Sequence, residues 1–299
     1  MVEKTCFAIN PLDYYFSAIF RDTLRNTIMK FIKNTIEPTE LFSVMHTEHA
    51  PIVIDVVRPQ AFKDVDRMIA GAIWKDHMSA GEWSLELPRN KDVVINCVHG
   101  HNVSQIAVTY LRAKGINARY LNGGVAAWEA AGGTTVSRDK INSHQSSEWI
   151  TRESPKIDRI ACPWLIRRFI DPNAVFHYVS TEFVRDIAEE TGATVFDIDD
   201  PDITFTHKGE QCSFDAFITH FDIRDPALKR LADIVRGADT NRLDLAPQAA
   251  GLVALSLGLS ATYSDDLEML EKGMVLYDAL YSWCRNVSDE THNWTRTAA

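Results

Sequence analysis

The chain has 299 residues, 45% hydrophobic and 24% charged, enough for two domains with their own cores and ordinary for a soluble globular protein. Its net charge of -10 argues against general nucleic-acid binding, which calls for a basic surface. The five cysteines (Cys6, Cys97, Cys162, Cys212 and Cys284) are odd in number and far apart, with no CxxC pair, which points to a reducing compartment and against a disulfide scaffold.

In chain order, residues 1–36 read as a helical extension. Asn10 is suited to cap a helix with Pro11 at its first position. Leu12, Tyr15, Phe16, Ile19, Phe20, Leu24, Ile28, Phe31 and Ile32 then recur every three or four residues. This face is expected to pack on another domain or on a second copy of the chain, making a homo-oligomer. A membrane-surface helix is the weaker alternative, because the basic content gives little attraction to lipid.

The run Val93-Val94-Ile95-Asn96-Cys97 reads as a buried strand ending at a cysteine. A short loop with Gly100 follows, and then a helical stripe of Val103, Ile106, Ala107, Tyr110 and Leu111, stopped at Gly115. Loop N–H groups and a helix N-terminus converge at such a junction. They favour a thiolate and an anion beside it. Gly132-Gly133 breaks the pattern, and the polar residues 134–149 read as a linker. A second domain, 150–299, carries strand-like pieces at 174–179, 194–198 and 203–207, and helices at 226–237 and 265–283. The apolar run 245–261 contains Pro247 and Gln248 and reads as a buried helix. With no secretory leader and no membrane span, the expected location is the cytoplasm.

The cysteine loop resembles the active-site loop of rhodanese-type sulfurtransferases. Ile52-Val53-Ile54-Asp55-Val56 is similar to that family's early strand with its acidic end, and Pro59-Gln60-Ala61-Phe62 to the following turn. Ile69-Ala70-Gly71-Ala72-Ile73 resembles its I-P-G-A segment, with Ala70 where proline is usual. Ala118-Arg119-Tyr120-Leu121-Asn122-Gly123-Gly124-Val125-Ala126-Ala127-Trp128 resembles its last strand and helix. The resemblance implies that Cys97 attacks a sulfane sulfur and carries it as a persulfide, without a cofactor. The amides of Val98, His99, Gly100, His101, Asn102 and Val103 would then cradle the substrate. Asn102 stands where the family places an arginine. Asparagine supplies no charge, so thiosulfate becomes a poor donor and a persulfide the preferred one. His99 and His101 offer charge when protonated. A cysteine-phosphatase reading is weakened too, because Val103 stands where those enzymes need an arginine.

The second domain resembles the C-terminal domain of ChrB-type chromate-resistance proteins. The similarity begins at Ser154-Pro155-Lys156-Ile157-Asp158-Arg159-Ile160-Ala161-Cys162-Pro163-Trp164 and continues to Asp171. Further blocks are Phe205-Thr206-His207, Cys212-Ser213-Phe214-Asp215, Ile234 to Asp239, and Pro247 to Leu252. It implies a role near chromate stress. The DNA-binding N-terminal region associated with the ChrB regulators is not apparent in this sequence, and no nucleic-acid partner is expected.

The expected fold is thus α/β: a rhodanese-like parallel-sheet domain at 37–133, then a second mixed α/β, mostly helical domain. The leading function is a sulfurtransferase, linked to chromate resistance, acting on a small-molecule sulfur donor and an acceptor thiol. The alternative is a non-catalytic sensor of chromate or a metal ion, with the rhodanese-like part as a docking module. For that alternative, Lys156, Arg159, Arg167 and Arg168 are an oxyanion candidate, against an ordinary solvated helix face paired with acids. His207, Cys212, Asp215 and Asp239, with Asp158 able to join, are a transition-metal candidate, against an ordinary core histidine. A third reading makes the second domain a metal-dependent enzyme acting on oxidative by-products of chromate. Cys162 reads as a buried structural cysteine, with a redox thiol as the weaker alternative.

Overall fold

Short β-branched runs alternate with helical stretches through the first half of the chain. A parallel sheet follows, because each crossover returns the next strand in the same direction. In the computed structural model, which describes residues 33–144 and 146–288, this half runs β1 (Thr35–Ile36), α1 (Pro38–Val44), β2 (Ile52–Asp55), β3 (Arg67–Ile69), β4 (Ile73–Trp74), α2 (Ala80–Trp83), β5 (Val93–Asn96), α3 (Asn102–Ala113), β6 (Ala118–Leu121) and α4 (Gly124–Ala130). Five strands form one all-parallel sheet in the order β1-β6-β5-β2-β4. β5 is flanked on both sides, so all of Val93–Asn96 is buried. Cys97 leaves the sheet at the C-terminal end of its central strand. The amphipathic segment expected at residues 10–32, and Cys6, lie outside the described residues.

The stretch read as a linker is structured. Residues 135–143 form β7 (Thr135–Ser137) and α5 (Arg138–Ser143). β7 pairs antiparallel with β3, Met68 opposite Val136, so its partner lies far back in the chain, where local polarity gives no hint of it. Arg138 is fully buried and joins Asp55 at 2.5 Å, the Val65 carbonyl at 2.8 Å and the Arg67 carbonyl at 3.1 Å.

The second half continues with β8 (Glu148–Arg152), α6 (Ile157–Leu165), β9 (Val175–Val179), α7 (Val184–Thr191), β10 (Thr194–Val195), α8 (Ser213–His220), α9 (Pro226–Asp239), α10 (Ala249–Thr262) and α11 (Asp266–Ser282). Its sheet is three parallel strands in the order β10-β8-β9. The third strand expected, 203–207, is reduced to an isolated bridge between Phe196 and Phe205. The run expected as a buried helix is α10, which buries Ala249, Leu252 and Ser256 but leaves Leu255 and Leu257 half exposed. Its apolar residues surround the helix, while α9 and α11 cover only part of it.

One hydrophobic cluster crosses both halves, uniting Leu41, Met45 and Trp128 with Trp149, Trp164 and Phe169. Polar contacts reinforce it. Gly71 N–H donates to the Phe169 carbonyl at 2.7 Å, Arg67 pairs with Asp222 at 2.5 Å, and Arg285 donates to the Met45 carbonyl at 3.0 Å. Among the described residues no helix is long and apolar enough to cross a membrane.

Candidate functional site

The loop after β5 is held by two glycines. Gly100 has φ +69°, and a Cβ there would lie 2.4 Å from the Leu121 carbonyl oxygen. Gly124, at φ +61°, would bring a Cβ to 2.2 Å from the Cys97 carbonyl oxygen. Only glycine permits this approach of the loop to the start of α4. In return, the Cys97 carbonyl accepts from Val125 N–H at 2.9 Å.

Cys97 is largely buried, at 8% exposure. Its Sγ lies 3.3 Å from Ser104 Oγ, and Ser104 also donates to the His101 carbonyl at 2.9 Å. A serine hydroxyl has one proton and two lone pairs. It can therefore accept from the Cys97 thiol and, by rotating, donate to the thiolate. Among the described residues, no backbone carbonyl or side chain accepts a hydrogen bond from the amides of Val98 to Val103. Six consecutive donors are thus left for solvent or an anion. His99, His101 and Asn102 are exposed beside them, with the two imidazole rings 6.3 Å apart.

Ser104 was not singled out from the sequence. The helical stripe drawn through Val103, Ile106, Ala107, Tyr110 and Leu111 holds at Ala107 and Leu111 but is shifted in the structure: Ile106 and Tyr110 are exposed, and α3 buries Ser104 and Val108 as well. The available signal was a serine at helical spacing with Ala107, Val108 and Leu111.

A second constellation lies in the other half. Asp158 sits in the first turn of α6, Asp197 after β10, His207 after the Phe205 bridge, and Asp239 at the end of α9. His207 Nε2 is 3.1 Å from Asp239, 3.6 Å from Asp197 and 3.7 Å from Asp158. Asp158 is 1% exposed; its Oδ2 accepts from Phe214 N–H at 3.2 Å, while among the described residues its Oδ1 has no hydrogen-bond partner. Burial, with Asp239 and Asp197 alongside, pushes the Asp158 carboxyl well above the usual range. Burial also opposes ionisation of Asp197, but hydrogen bonds from His207 and Ser213 and the nearby Arg159 outweigh it and hold that carboxyl low. Hydrogen bonds to Asp197 and then Asp239 push His207 up to about 10.

The structure therefore regroups the metal candidates. His207 and Asp239 meet Asp158, while Cys212 and Asp215 serve the start of α8 instead. Asp215 accepts from Cys212 N–H at 3.1 Å and pairs with Arg236 at 3.3 Å. Burial pushes the Cys212 and Cys162 thiols far up, so neither offers a ready thiolate. Asp197 was missed, because the sequence shows Asp197, Asp199, Asp200 and Asp202 together and nothing local marks the one that turns inward.

Comparison with known proteins agrees with this division. Residues 37–131 match the rhodanese-like domain family, and residues 149–284 match the family described as ChrB, C-terminal domain. The chain joins a rhodanese-like domain to a ChrB C-terminal domain. Protein ChrB of Cupriavidus metallidurans is 34% identical over 148 residues, covering 49% of this chain and 44% of that protein. The chain thus spans less than half the length of this curated relative. Among solved structures, a rhodanese-related protein from Thermoplasma volcanium is 29% identical over 35% of this chain and 98% of its own, with a TM-score of 0.31. A rhodanese-like domain protein from Staphylococcus aureus is 24% identical over 32% of this chain and 91% of its own, with a TM-score of 0.29.

Within the ChrB C-terminal domain the four cations offered as an oxyanion pocket do not act together. Arg167 pairs with Glu271 at 2.6 Å, Arg168 with Asp278 at 2.7 Å, and Arg159 with Asp197 at 3.4 Å, while Lys156 caps α6 through its backbone. The acids that neutralise Arg167 and Arg168 come from α11, distant in sequence, which is why local charge counting overestimates the pocket. In the rhodanese-like domain, Asn96 donates to Asp55 at 3.3 Å, tying the strand before Cys97 to the buried Asp55–Arg138 pair.

Proposed function

We propose that the rhodanese-like domain is a sulfurtransferase module in which Cys97 carries sulfur as a persulfide, within a protein linked to chromate resistance through its ChrB C-terminal domain. The observation that carries this reading is the setting of Cys97 Sγ: beside Ser104 Oγ, at the end of the central strand and at the head of a loop whose six amides have no internal acceptor among the described residues. Amides aimed at a developing negative charge stabilise it most where water is excluded.

In the proposed reaction the Cys97 thiolate attacks the terminal sulfur of a persulfide donor. The new S–S bond forms as the donor's S–S bond breaks, and the donor leaves as a thiolate that takes up a proton. An acceptor thiolate then attacks the terminal sulfur on Cys97, and the Cys97 thiolate returns. Ser104 donates to whichever sulfur anion occupies the position near its hydroxyl. No oxidant, reductant or cofactor is consumed. The alternative of chromate binding by Lys156, Arg159, Arg167 and Arg168 has less support, because the three arginines already face carboxylates.

The test is sulfur transfer from glutathione persulfide to an acceptor thiol. Wild type is expected to accelerate transfer and Cys97→Ser to reduce it to the uncatalysed rate. Equal rates with both proteins would refute the proposal.

A further inference from the structure

We infer that Asp158, Asp197, His207 and Asp239 form a binding site for one divalent first-row transition cation in the ChrB C-terminal domain. The inference is independent of sulfur chemistry at Cys97. Four segments far apart in sequence bring three carboxylates within 3.7 Å of one imidazole nitrogen. One donor atom each from Asp158, Asp197 and His207 lie within 4.8 Å of one another. Oxygen and nitrogen ligands sit about 2.0–2.2 Å from such an ion, so neighbouring donor atoms stand about 3.0–3.5 Å apart. The separations from His207 Nε2, 3.1, 3.6 and 3.7 Å, are close to that range before any cation draws the donors in.

A second observation points to the same ligand. Asp158 is 1% exposed and its Oδ2 lies 3.7 Å from His207 Nε2, while among the described residues its Oδ1 has no hydrogen-bond partner. A buried carboxyl oxygen without a partner is costly, and a bound cation would supply one. The charge count agrees once a cation displaces the protons of His207 and Asp158: three carboxylates with a neutral imidazole then carry three negative charges, which a divalent ion and Arg159, 3.4 Å from Asp197, balance. The donors also narrow the class. Carboxylate oxygens do not favour soft monovalent copper, and the imidazole favours first-row transition ions over magnesium or calcium. Access is available at His207, whose side chain is 44% exposed, with Asp158 as the floor.

The experiment uses the full chain, stripped with chelator and exchanged into chelator-free buffer, then titrated separately with manganese chloride and zinc chloride. Bound metal per chain is counted by elemental analysis after dialysis, and thermal unfolding is followed in parallel. Wild type should hold one equivalent of at least one of the two ions and unfold at a higher temperature with it. His207→Gln and Asp239→Asn, both at partly exposed positions, should each weaken binding at least tenfold, whereas Cys97→Ser should bind as wild type does. Folding of each variant is checked by circular dichroism; if one fails to fold, the other carries the comparison and the wild-type titration stands by itself. No retained ion at millimolar metal, undiminished binding in the folded variants, or loss of binding in Cys97→Ser would each overturn the inference.

Discussion

A single buried histidine makes the fold sensitive to acid. His46 is 2% exposed, stacks on Phe169 at 4.1 Å and donates from Nδ1 to the Arg168 carbonyl at 2.9 Å, while among the described residues Nε2 has no partner. Burial lowers its pKa to about 4 from the ordinary 6.5. Between those values the unfolded chain binds the proton and the folded chain does not. This contribution to stability is therefore complete above about pH 6.5 and is lost as pH falls toward 4, amounting to roughly 3 kcal/mol. His46→Asn cannot titrate and tolerates the left-handed backbone at φ +63°. Chemical denaturation at pH 7 and pH 4.5 should show a smaller loss of stability for it than for wild type. At Asn102 the absent charge sets donor choice. Asn102→Arg adds a charged hydrogen bond worth about 1.5–3 kcal/mol, so thiosulfate turnover should rise about ten- to a hundredfold relative to persulfide turnover. An unchanged ratio would mean that this position does not face the donor. At this scale Cys97 was legible, because an apolar run ending at cysteine marks a strand end. Ser104 and Asp197 were not, because their roles depend on neighbours brought in by the fold.

Among the elements, the β5–α3 loop depends on a contact only glycine allows. Gly124→Ala places a Cβ against the Cys97 and Val98 carbonyl oxygens, at 2.2 and 2.5 Å. The left-handed backbone alone costs an alanine about 1–2 kcal/mol, and the clash displaces the loop. The variant should be less stable by at least that much in urea titration, and its persulfide loading should fall with it. Wild-type loading in Gly124→Ala would show that the loop tolerates displacement. The central strands, the long helices α9 and α11, and this loop were readable from periodicity and glycine placement. β7 was not, since its pairing with β3 is long-range, and its sequence is as polar as a linker. The strand expected at 203–207 failed for a related reason: among the described residues only Phe205 of this stretch bridges another extended segment, and the following residues turn to deliver His207.

Across the whole molecule, the two domains share one core. Trp128 of the first lies in the same cluster as Trp149 and Trp164 of the second, and Arg285 reaches back to donate to the carbonyls of Phe42 and Met45. Exposing either half would uncover these side chains, at roughly 25 cal/mol for each square ångström of apolar surface. Thermal unfolding should therefore be one cooperative transition, coincident by tryptophan fluorescence and circular dichroism. Two separated transitions would show that the halves unfold independently. The sequence announces two domains through two sets of motifs, but it does not announce their union, because surfaces that meet across an interface have no shared periodicity. Close packing gives the rhodanese-like loop and the carboxylate–histidine cluster one folded framework, so damage to the shared core should reach both.

Intact-protein mass spectrometry after incubation with glutathione persulfide, comparing wild type with Cys97→Ser, would show directly whether Cys97 carries sulfur. A species one sulfur atom heavier is expected in wild type, removed by a thiol acceptor and absent from the variant. Absence of that species from wild type, or its equal abundance in the variant, would contradict the assignment of Cys97 as the sulfur carrier.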